Sequence, residues 1–531
     1  MRNKTVAFLQ TCRTGVVALA ALAGSMGAQT GSAPRPAQPA PAERRIELNL
    51  DAARKSPLAL RAFLATMPKG ADLHNHLSGA VYAESFIRAA VEDNLCVDTI
   101  FNSFAKPQSV SDSSPPQPVC GANQTPASEA LKSARLYNAL IDAFSMRGFI
   151  PSQGDTGHDH FFNTFGKFGG TDARHVGEWL DEVAARAATQ NEQYMELMAT
   201  PTANRLYAIV REVGWRDDFK QLRDELLSHG LRDDVPTAHA YWDRAESTRR
   251  ELERCGAPDE LPACKVQTRY IYQVSRNSPK ELVFAQALLG FEVAPSDPRV
   301  VGINFVQPED GYVSMTDYAL QMRMVGFLHE TYPKVHISLH AGELAPGLTP
   351  PNELCCHIRL AVEQAHAERI GHGVDVMYED HPHDLLKEMR ARHVMVEINL
   401  TSNDAILGVR GADHPFPIYR QFQVPLALST DDEGVSRIDL TNEFTRAVLT
   451  YGLKYADLKG MARASLEHSF LPGASLWRAP DSFAAPAPAC VRDALGAEKP
   501  SPACASFLAS SEKARQQWEL ERRFRVWEAS Q

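Results

Sequence analysis

Two histidines lie two positions apart in the segment ADLHNHLSGA, residues 71–80. Apolar and polar residues alternate in this segment up to the small residues Ser78 and Gly79, which mark the end of a short strand. Residues i and i+2 of a strand point to the same face, so His74 and His76 project together. Their spacing suits two ligands of one metal ion. An isolated pair of this kind is more often part of a polar loop, so the interpretation depends on the rest of the chain.

Two other strand-like segments offer further metal ligands. In VHISLHAGE, residues 335–343, apolar and polar residues alternate and His340 stands at the end of the strand. In LALSTDD, residues 426–432, Asp431 holds the corresponding position. Three imidazoles and one carboxylate with an open coordination position are typical of catalytic zinc. We therefore predict one Zn²⁺ per chain, which would lower the pKa of a bound water towards about 7.

A metal-activated water needs groups that move protons, and three candidates stand at strand ends. His372 lies between two glycines in RIGHGV, where it could orient the water and accept its proton. Glu343, three residues after His340, could protonate the electrophile. Asp432, next to Asp431, could donate to or accept from a ring nitrogen. Taken singly, Glu343 could only stabilise a helix terminus and Asp432 could only stabilise a loop. Taken together, these residues favour catalysis.

The elements that would carry these residues form a repeating pattern. Short apolar or alternating runs recur between segments with helical spacing, and strands that alternate with helices pair in parallel. Eight such units predict an α/β fold, a closed (β/α)8 TIM barrel whose catalytic residues lie at the carboxyl ends of the strands. The predicted strands are 70–77, 193–200, 269–275, 300–306, 335–340, 369–374, 394–400 and 425–432.

Several segments lie outside this alternation and set the predicted domain boundaries. Residues 1–28 have the basic start, short apolar stretch and small-residue cleavage site of a signal peptide, and residues 29–45 form a Pro/Ala-rich linker. The barrel is predicted over 46–480, with a small disulfide-closed insertion at 93–130. Residues 481–531 form a tail that ends in a helix.

The signal predicts export, to the periplasm or the medium, with no membrane anchor after cleavage, because its apolar stretch is far shorter than the roughly 20 residues of a spanning helix. Eight of the nine cysteines remain after cleavage, an even number suited to an oxidising compartment. Adjacent Cys355 and Cys356 are expected to be buried thiols. Three local pairs bracket loose segments and are expected to form disulfides: Cys96 with Cys120, Cys255 with Cys264, and Cys490 with Cys504.

Composition narrows the class of ligand. The chain is 44% hydrophobic with a formal net charge of −10, and its Lys and Arg residues are scattered. No basic face is therefore available to bind nucleic acid. The expected ligand is a small molecule.

At these residues the chain resembles the adenosine and AMP deaminase family. MPKGADLHNHLSGA, SLHAGE, RIGHGV, EINLTSN and LSTDD occur in that family's order, and the resemblance runs from about residue 67 to 475, ending in ASLEHSFL. The signal and the cysteine-closed insertion are similar to the secreted adenosine deaminase-related growth factors. Members of that branch often dimerise through a longer N-terminal region than this chain has, so homodimerisation stays open.

The resemblance implies a role for each candidate residue. His74, His76, His340 and Asp431 would hold zinc, His372 would act on the water, and Glu343 would protonate N1 of the purine. Asp432 would bind N7. Further substrate contacts are expected from Ser78, Gln307 and Gly342. The implied reaction converts adenosine or 2'-deoxyadenosine to inosine or deoxyinosine and ammonia.

The chain also departs from that family's pattern. Ser78 replaces a frequent Asp near the sugar, Gln307 replaces a Gly, Asn399-Leu400 replaces Cys-Pro, and Glu433 replaces a Pro. Two alternatives remain: a barrel amidohydrolase that opens a cyclic amide, and a growth-factor-like binding protein with a retained site. A phosphorylated substrate is less favoured because no Gly-rich phosphate loop follows a strand.

Overall fold

The structure is a computed structural model that describes residues 41–110 and 117–531. The predicted signal peptide, and the linker up to residue 40, lie outside the described residues. Within those two ranges, no helix combines the length and hydropathy needed to cross a membrane.

One sheet of eight parallel strands forms the centre of the molecule, and each strand pairs with the next one along the chain. All eight predicted strands are present, so the (β/α)8 prediction is confirmed. The strands are β1 Gly70–His76, β2 Glu192–Ala199, β3 Gln267–Ser275, β4 Val300–Val306, β5 His336–Ala341, β6 Arg369–His372, β7 Met395–Ile398 and β8 Leu426–Leu428.

The barrel closes between its first strand and the segment after its last. Asn75 and Asp431 form a parallel bridge. On either side of it, the His76 N–H donates to the Asp431 carbonyl at 3.1 Å, and the Asp431 N–H donates to the His74 carbonyl at 2.8 Å. The backbone bonds that close the barrel therefore join three of the four predicted metal ligands.

Helices surround the sheet and bury its outer face. Because parallel strands are covered on both sides, they are apolar along most of their length, and β4 reads Val-Val-Gly-Ile-Asn-Phe-Val. The helices are α1 Pro41–Ala53, α2 Pro57–Ala65, α3 Leu77–Ala80, α4 Ala83–Glu92, α5 Ala134–Ala143, α6 Gly157–Lys167, α7 Val176–Thr189, α8 Leu206–Val213, α9 Phe219–Ser228, α10 Val235–Leu252, α11 Lys280–Val293, α12 Tyr312–Thr331, α13 His357–Glu363, α14 Pro382–Ala391, α15 Leu400–Leu407, α16 Phe416–Phe422, α17 Glu433–Ser436, α18 Leu440–Tyr451, α19 Tyr455–Glu467, α20 Pro502–Ser510 and α21 Glu512–Ser530.

The insertion between α4 and α5 folds into two small antiparallel sheets. One pairs Cys96–Asp98 with Ser103–Ala105 and Gln124–Pro126, and the other pairs Ser109–Val110 with Pro118–Val119. The Cys96–Cys120 disulfide crosslinks this unit. The crosslink limits the conformational freedom of a segment with few apolar residues.

The two other predicted local disulfides, Cys255–Cys264 and Cys490–Cys504, are also present. The expectation of free thiols at the remaining pair was wrong, because Cys355 and Cys356 are bonded to each other. Cys356 has a φ of 85° at the start of α13. In an extended chain neighbouring side chains point to opposite sides, whereas this turn brings the side chains of Cys355 and Cys356 to the same side. Both residues are only partly buried.

The first described helix corrects the linker boundary. The linker was expected to reach residue 45, but α1 begins at Pro41. Proline is compatible with the first turn of a helix, where its missing N–H costs no hydrogen bond. Ile46 and Leu50 of this helix are fully buried, so packing against the barrel extends the folded region towards the N-terminus.

The predicted C-terminal helix, α21, packs against the barrel. Leu520, Phe524 and Trp527 lie on one side of it and join the main hydrophobic core. The Trp527 ring lies 5.3 Å from Phe63 of α2, and its indole N–H donates to Thr66 at 2.9 Å. The tail is therefore an integral part of the fold.

We expect Trp527→Ala to lower the free energy of unfolding by about 3–5 kcal/mol, the usual cost of truncating a buried aromatic residue. Its neighbour Val526 is 59% exposed, and Val526→Ala should change stability by less than about 0.5 kcal/mol. Urea denaturation followed by far-ultraviolet circular dichroism measures both. Equal effects would contradict the packing of α21 on the barrel.

Candidate metal centre and proton-transfer site

Three histidines and one aspartate converge at the carboxyl ends of β1, β5 and β8. The Nε2 atoms of His74 and His76 each lie 3.1 Å from Nε2 of His340. Oδ1 of Asp431 lies 3.4 Å from Nε2 of His74 and 3.2 Å from Nε2 of His76. These four side chains are the predicted ligand set, and they are at most 8% exposed.

The donor spacing fits a single ion. Ligand atoms about 2.0–2.1 Å from a tetrahedral zinc lie roughly 3.3 Å from one another. The measured separations of 3.1–3.4 Å match that value. Three neutral imidazoles and a carboxylate are also a donor set that Zn²⁺ accepts.

Each ligand is oriented by a second residue from the barrel interior. Glu397 contacts Nδ1 of His74 at 2.6 Å, and Asn304 contacts Nδ1 of His340 at 2.8 Å. The Gln273 amide lies 2.6 Å from Nδ1 of His76, and the Ser402 hydroxyl donates to Asp431 at 2.5 Å. Such contacts hold the imidazole rings with their Nε2 atoms directed at the other donor atoms of the cluster.

A buried ionic chain anchors Glu397 beneath the site. Arg369 donates to Glu397 at 2.6 Å and also pairs with Glu196 at 2.6 Å. All three side chains are fully buried. Burial raises the pKa of Glu397, but the charge of Arg369 and the contact with His74 outweigh burial and lower it. Glu397 therefore stays ionised and available to His74.

Glycines next to the site make room for functional side chains. A Cβ at Gly79 would stand 1.5 Å from Oδ1 of Asp432, and one at Gly371 would stand 2.5 Å from the His74 ring. Both glycines let the backbone pack directly against the Asp432 carboxyl and the His74 imidazole.

His372, at the end of β6, is fully buried beside the ligand cluster. Its Nε2 lies 4.0 Å from Asp431, and its Nδ1 lies 2.9 Å from the Asn403 amide and 3.5 Å from Glu343. Burial lowers the pKa of His372 to about 3. The ring is therefore neutral at physiological pH, the form in which an imidazole can take up a proton.

Two carboxyl groups that face the same cavity have raised pKa values, which favour their protonated forms. Burial, reinforced by the negative charges of Asp431 and Glu309, raises the pKa of Glu343 well above its usual value. Burial and the adjacent Asp431 do the same to the pKa of Asp432. Within the described part of the chain, Oδ1 of Asp432 has no hydrogen-bond partner. Both groups can donate a proton or a hydrogen bond to a ligand.

A cavity of about 370 Å³ opens over these groups. Its lining includes Ser78, Gln307, Glu343 and Asp432, so these predicted residues share one pocket. Helix α6 covers the cavity with aromatic side chains. Gly342 lies behind the lining, and its N–H donates to Glu309 at 3.0 Å. The aromatic residues in the lining are Phe161, Phe162 and Phe165.

Two of the residues that depart from the family pattern, Glu433 and Asn399, are buried in the structure. Glu433 is buried, pairs with Arg186 at 3.1 Å and accepts from Asn75 at 3.3 Å. Asn75 lies between the two ligands of β1, so Glu433 supports the barrel closure. Asn399 is buried at the start of α15, where neither atom of its amide group has a hydrogen-bond partner among the described residues.

Sequence reasoning missed several residues that build the site. Glu397 and Asn304 are polar positions inside the otherwise apolar strands VMVEINL and VVGINFV, and that interruption was the available signal. The aromatic run FFNTFGKF of α6 resembled an ordinary core helix. Its position over the barrel mouth depends on packing between segments distant in sequence.

The chain was compared with known proteins. Residues 236–477 match the model of the adenosine deaminase family. Over 168 residues the chain is 31% identical to an adenosine deaminase of Clostridium perfringens, covering 32% of this chain and 43% of that protein. It is 27% identical to an N6-mAMP deaminase of Arabidopsis thaliana over 301 residues, covering 56% of this chain and 75% of that protein.

The match to the Clostridium enzymes spans about two fifths of their length. Among solved structures, Arabidopsis ADAL complexed with IMP superposes with a TM-score of 0.50 at 18% identity, covering 77% of this chain and 93% of that one. At this identity the superposition supports the fold alone.

We expect Glu397→Gln to weaken zinc affinity by roughly 10–100-fold, because the amide no longer provides the charge that orients His74. Competition against a chromogenic chelator measures the affinity. Glu196→Gln is the matched control, since Glu196 pairs with the same Arg369 but is not in contact with a ligand imidazole. An equal loss in both variants would show that general destabilisation, not ligand orientation, is responsible.

Proposed function

The chain belongs to the adenosine/AMP deaminase family, and on this premise we propose that it is a zinc-dependent deaminase of a neutral purine nucleoside. The substrate would be adenosine or 2'-deoxyadenosine, and the products inosine or deoxyinosine and ammonia. The observation that carries the proposal is a cavity lined by His76, His340, Asp431, Glu343 and Asp432, with His74 and the neutral His372 in the buried cluster next to it. The pKa values of Glu343 and Asp432 are raised, which favours their proton-donating forms. These are the groups that a hydrolytic deamination requires.

Each residue has one task in the proposed reaction. When bound by His74, His76, His340 and Asp431, zinc would activate a water molecule for attack. His372 orients this water and accepts its proton. Glu343 donates its proton to N1 of the purine as water adds at C6. The Asp432 carboxyl donates a hydrogen bond to N7, so that the ring is held with C6 at the metal centre.

Departure of ammonia completes the exchange. The C6–N bond breaks, and the amino group leaves as ammonia with the proton that His372 took from the water. The C6–O bond becomes the product carbonyl as its hydroxyl proton is released, which restores the proton that Glu343 gave to N1. Glu343 and His372 are 3.5 Å apart, so the two proton-transfer groups can act on neighbouring atoms of one bound ring. Water is consumed and no oxidant or reductant is needed.

The charge of the cavity favours a nucleoside over a nucleotide. Among the described residues, no lysine or arginine lines the cavity. A phosphate dianion would lose its hydration there without gaining a cationic partner. The similarity to an N6-mAMP deaminase of Arabidopsis thaliana keeps the nucleotide as the second candidate substrate class.

The cofactor, location and assembly are also proposals. One zinc per chain is supported by the donor spacing. Export to the periplasm or medium is supported by four disulfides among the described residues, because disulfides persist in oxidising compartments. We propose a small-molecule purine nucleoside as the ligand, with neither nucleic acid nor a membrane as partner, and leave homodimerisation as an untested prediction.

We expect mature, zinc-loaded protein to release ammonia from adenosine or 2'-deoxyadenosine, with a much lower kcat/KM for AMP. Ultraviolet absorbance and coupled ammonia detection follow the reaction, and metal analysis gives the zinc content. Chelation and His340→Ala should both abolish turnover. A protein with one bound zinc that leaves every 6-aminopurine nucleoside unchanged would refute the proposal, and preference for AMP would move the assignment to nucleotides.

We expect Glu343→Gln to lower kcat by roughly 10²–10⁴-fold, because the amide cannot donate the proton to N1. Its stability should not fall. The pKa of Glu343 is higher in the folded than in the unfolded state, so above the unfolded pKa the buried carboxyl opposes folding increasingly as pH rises. Thermal unfolding at pH 5 and pH 8 tests this: the variant should gain stability relative to wild type at the higher pH.

A further inference from the structure

A second carboxylate lies directly behind the proposed proton donor. Glu309 follows β4 and is 1% exposed. Its Oε1 accepts the N–H of Gly342 at 3.0 Å, and its Oε2 accepts the N–H of Glu343 at 2.9 Å. One side chain thus binds both backbone donors of the turn that presents Glu343 to the cavity.

Glu309 is held in place by groups from other elements. His357, the first residue of α13, contacts Oε1 of Glu309 at 2.5 Å, and Arg276 after β3 lies 3.8 Å from Oε2. The His357 ring stacks on Tyr318 of α12 with centroids 3.6 Å apart, and the Tyr318 hydroxyl donates to the His357 carbonyl at 3.1 Å. The imidazole has little freedom to leave the carboxylate.

These contacts keep the carboxylate ionised. Burial raises the pKa of Glu309, but the hydrogen bond from His357 and the charge of Arg276 outweigh burial and lower the pKa to about 2. An ionised carboxylate accepts stronger hydrogen bonds from N–H groups than a neutral group does. It also accepts with both oxygens, which an amide in the same position cannot do.

We propose that Glu309, oriented by His357, is a positioning residue that fixes the Gly342–Glu343 turn so that the Glu343 carboxyl meets the purine nitrogen. The inference rests on the proposed function for the role of Glu343 as proton donor. Glu309 itself is behind the turn and acts through the backbone. Displacing a reacting group by about 1 Å can cost roughly 100-fold in rate, so the effect belongs to kcat.

Three variants test the proposal, each with zinc content measured. In Glu309→Gln the amide N–H₂ faces a backbone N–H, so the turn loses one of its two acceptors. In His357→Phe the ring still stacks on Tyr318 but has no donor for Glu309. We expect kcat to fall roughly 100-fold in Glu309→Gln and less in His357→Phe, with KM within about twofold of wild type and one zinc retained.

His357→Asn supplies the rescue, since its amide can donate near the position of Nδ1. We expect it to recover part of the kcat lost in His357→Phe. The double variant Glu309→Gln/His357→Phe should be no slower than Glu309→Gln alone, because both changes act on one interaction. Full additivity of the two losses would contradict action through a shared contact.

Asp234→Asn is the matched control. Asp234 is also a buried carboxylate that accepts backbone N–H groups, from Asn204, Arg205 and Leu206 at 2.9–3.1 Å, but it is not in contact with the site. It should lower the melting temperature without changing kcat. If Glu309→Gln behaves in the same way, Glu309 is merely structural and the proposal is wrong.

A readout without turnover separates this proposal from the proposed function. Hydrogen exchange of the peptide that contains residues 341–344 should be faster in Glu309→Gln than in wild type, and unchanged in Asp234→Asn. Unchanged exchange in Glu309→Gln would overturn the positioning role. If wild type shows no deaminase activity, the function fails, but the exchange result still decides whether Glu309 holds the turn.

Discussion

The pairing of Asn75 with Asp431 is the contact on which the site depends. It closes an eight-stranded sheet, and the hydrogen bonds beside it join the backbones of His74, His76 and Asp431. The candidate ligands of the first strand and of the segment after the last strand are therefore brought together by the same bonds that complete the barrel. His340, from the middle of the chain, reaches the cluster because parallel strands end at one face.

The site contains several buried acidic residues, and the fold offsets the cost of burying their charge by pairing them with arginine or histidine side chains. Glu397 and Glu196 share Arg369, Glu433 pairs with Arg186, and Glu309 lies between His357 and Arg276. Three of these acids each contact a residue of the site: Glu397 contacts the His74 ring, Glu433 contacts Asn75, and Glu309 accepts the backbone N–H of Glu343. Glu343 and Asp432 face the cavity without such an ion pair, and burial raises their pKa values well above the usual ones.

Many elements and side chains could be identified from the linear pattern. The strands either alternate apolar and polar residues or are apolar throughout, and this pattern identified them. The candidate ligands were recognised because they stand at the ends of the strands. Glu397, Asn304 and Glu309 were not assigned roles, although each interrupts or follows an apolar strand. A buried acid next to an apolar run has many explanations until its partner is known, and Arg369 and His357 are 28 and 48 residues away from their respective partners.

Residue type, strand period and motif order were enough to predict the barrel and the side chains that gather at the carboxyl ends of its strands, since these depend on local geometry repeated along the chain. Tertiary packing alone decided three other features: which residues orient the ligands, the placement of α6 over the cavity, and the docking of α1 and α21 on the barrel. Those features arise from contacts between segments far apart in sequence. No local periodicity encodes which buried surfaces or charges will meet.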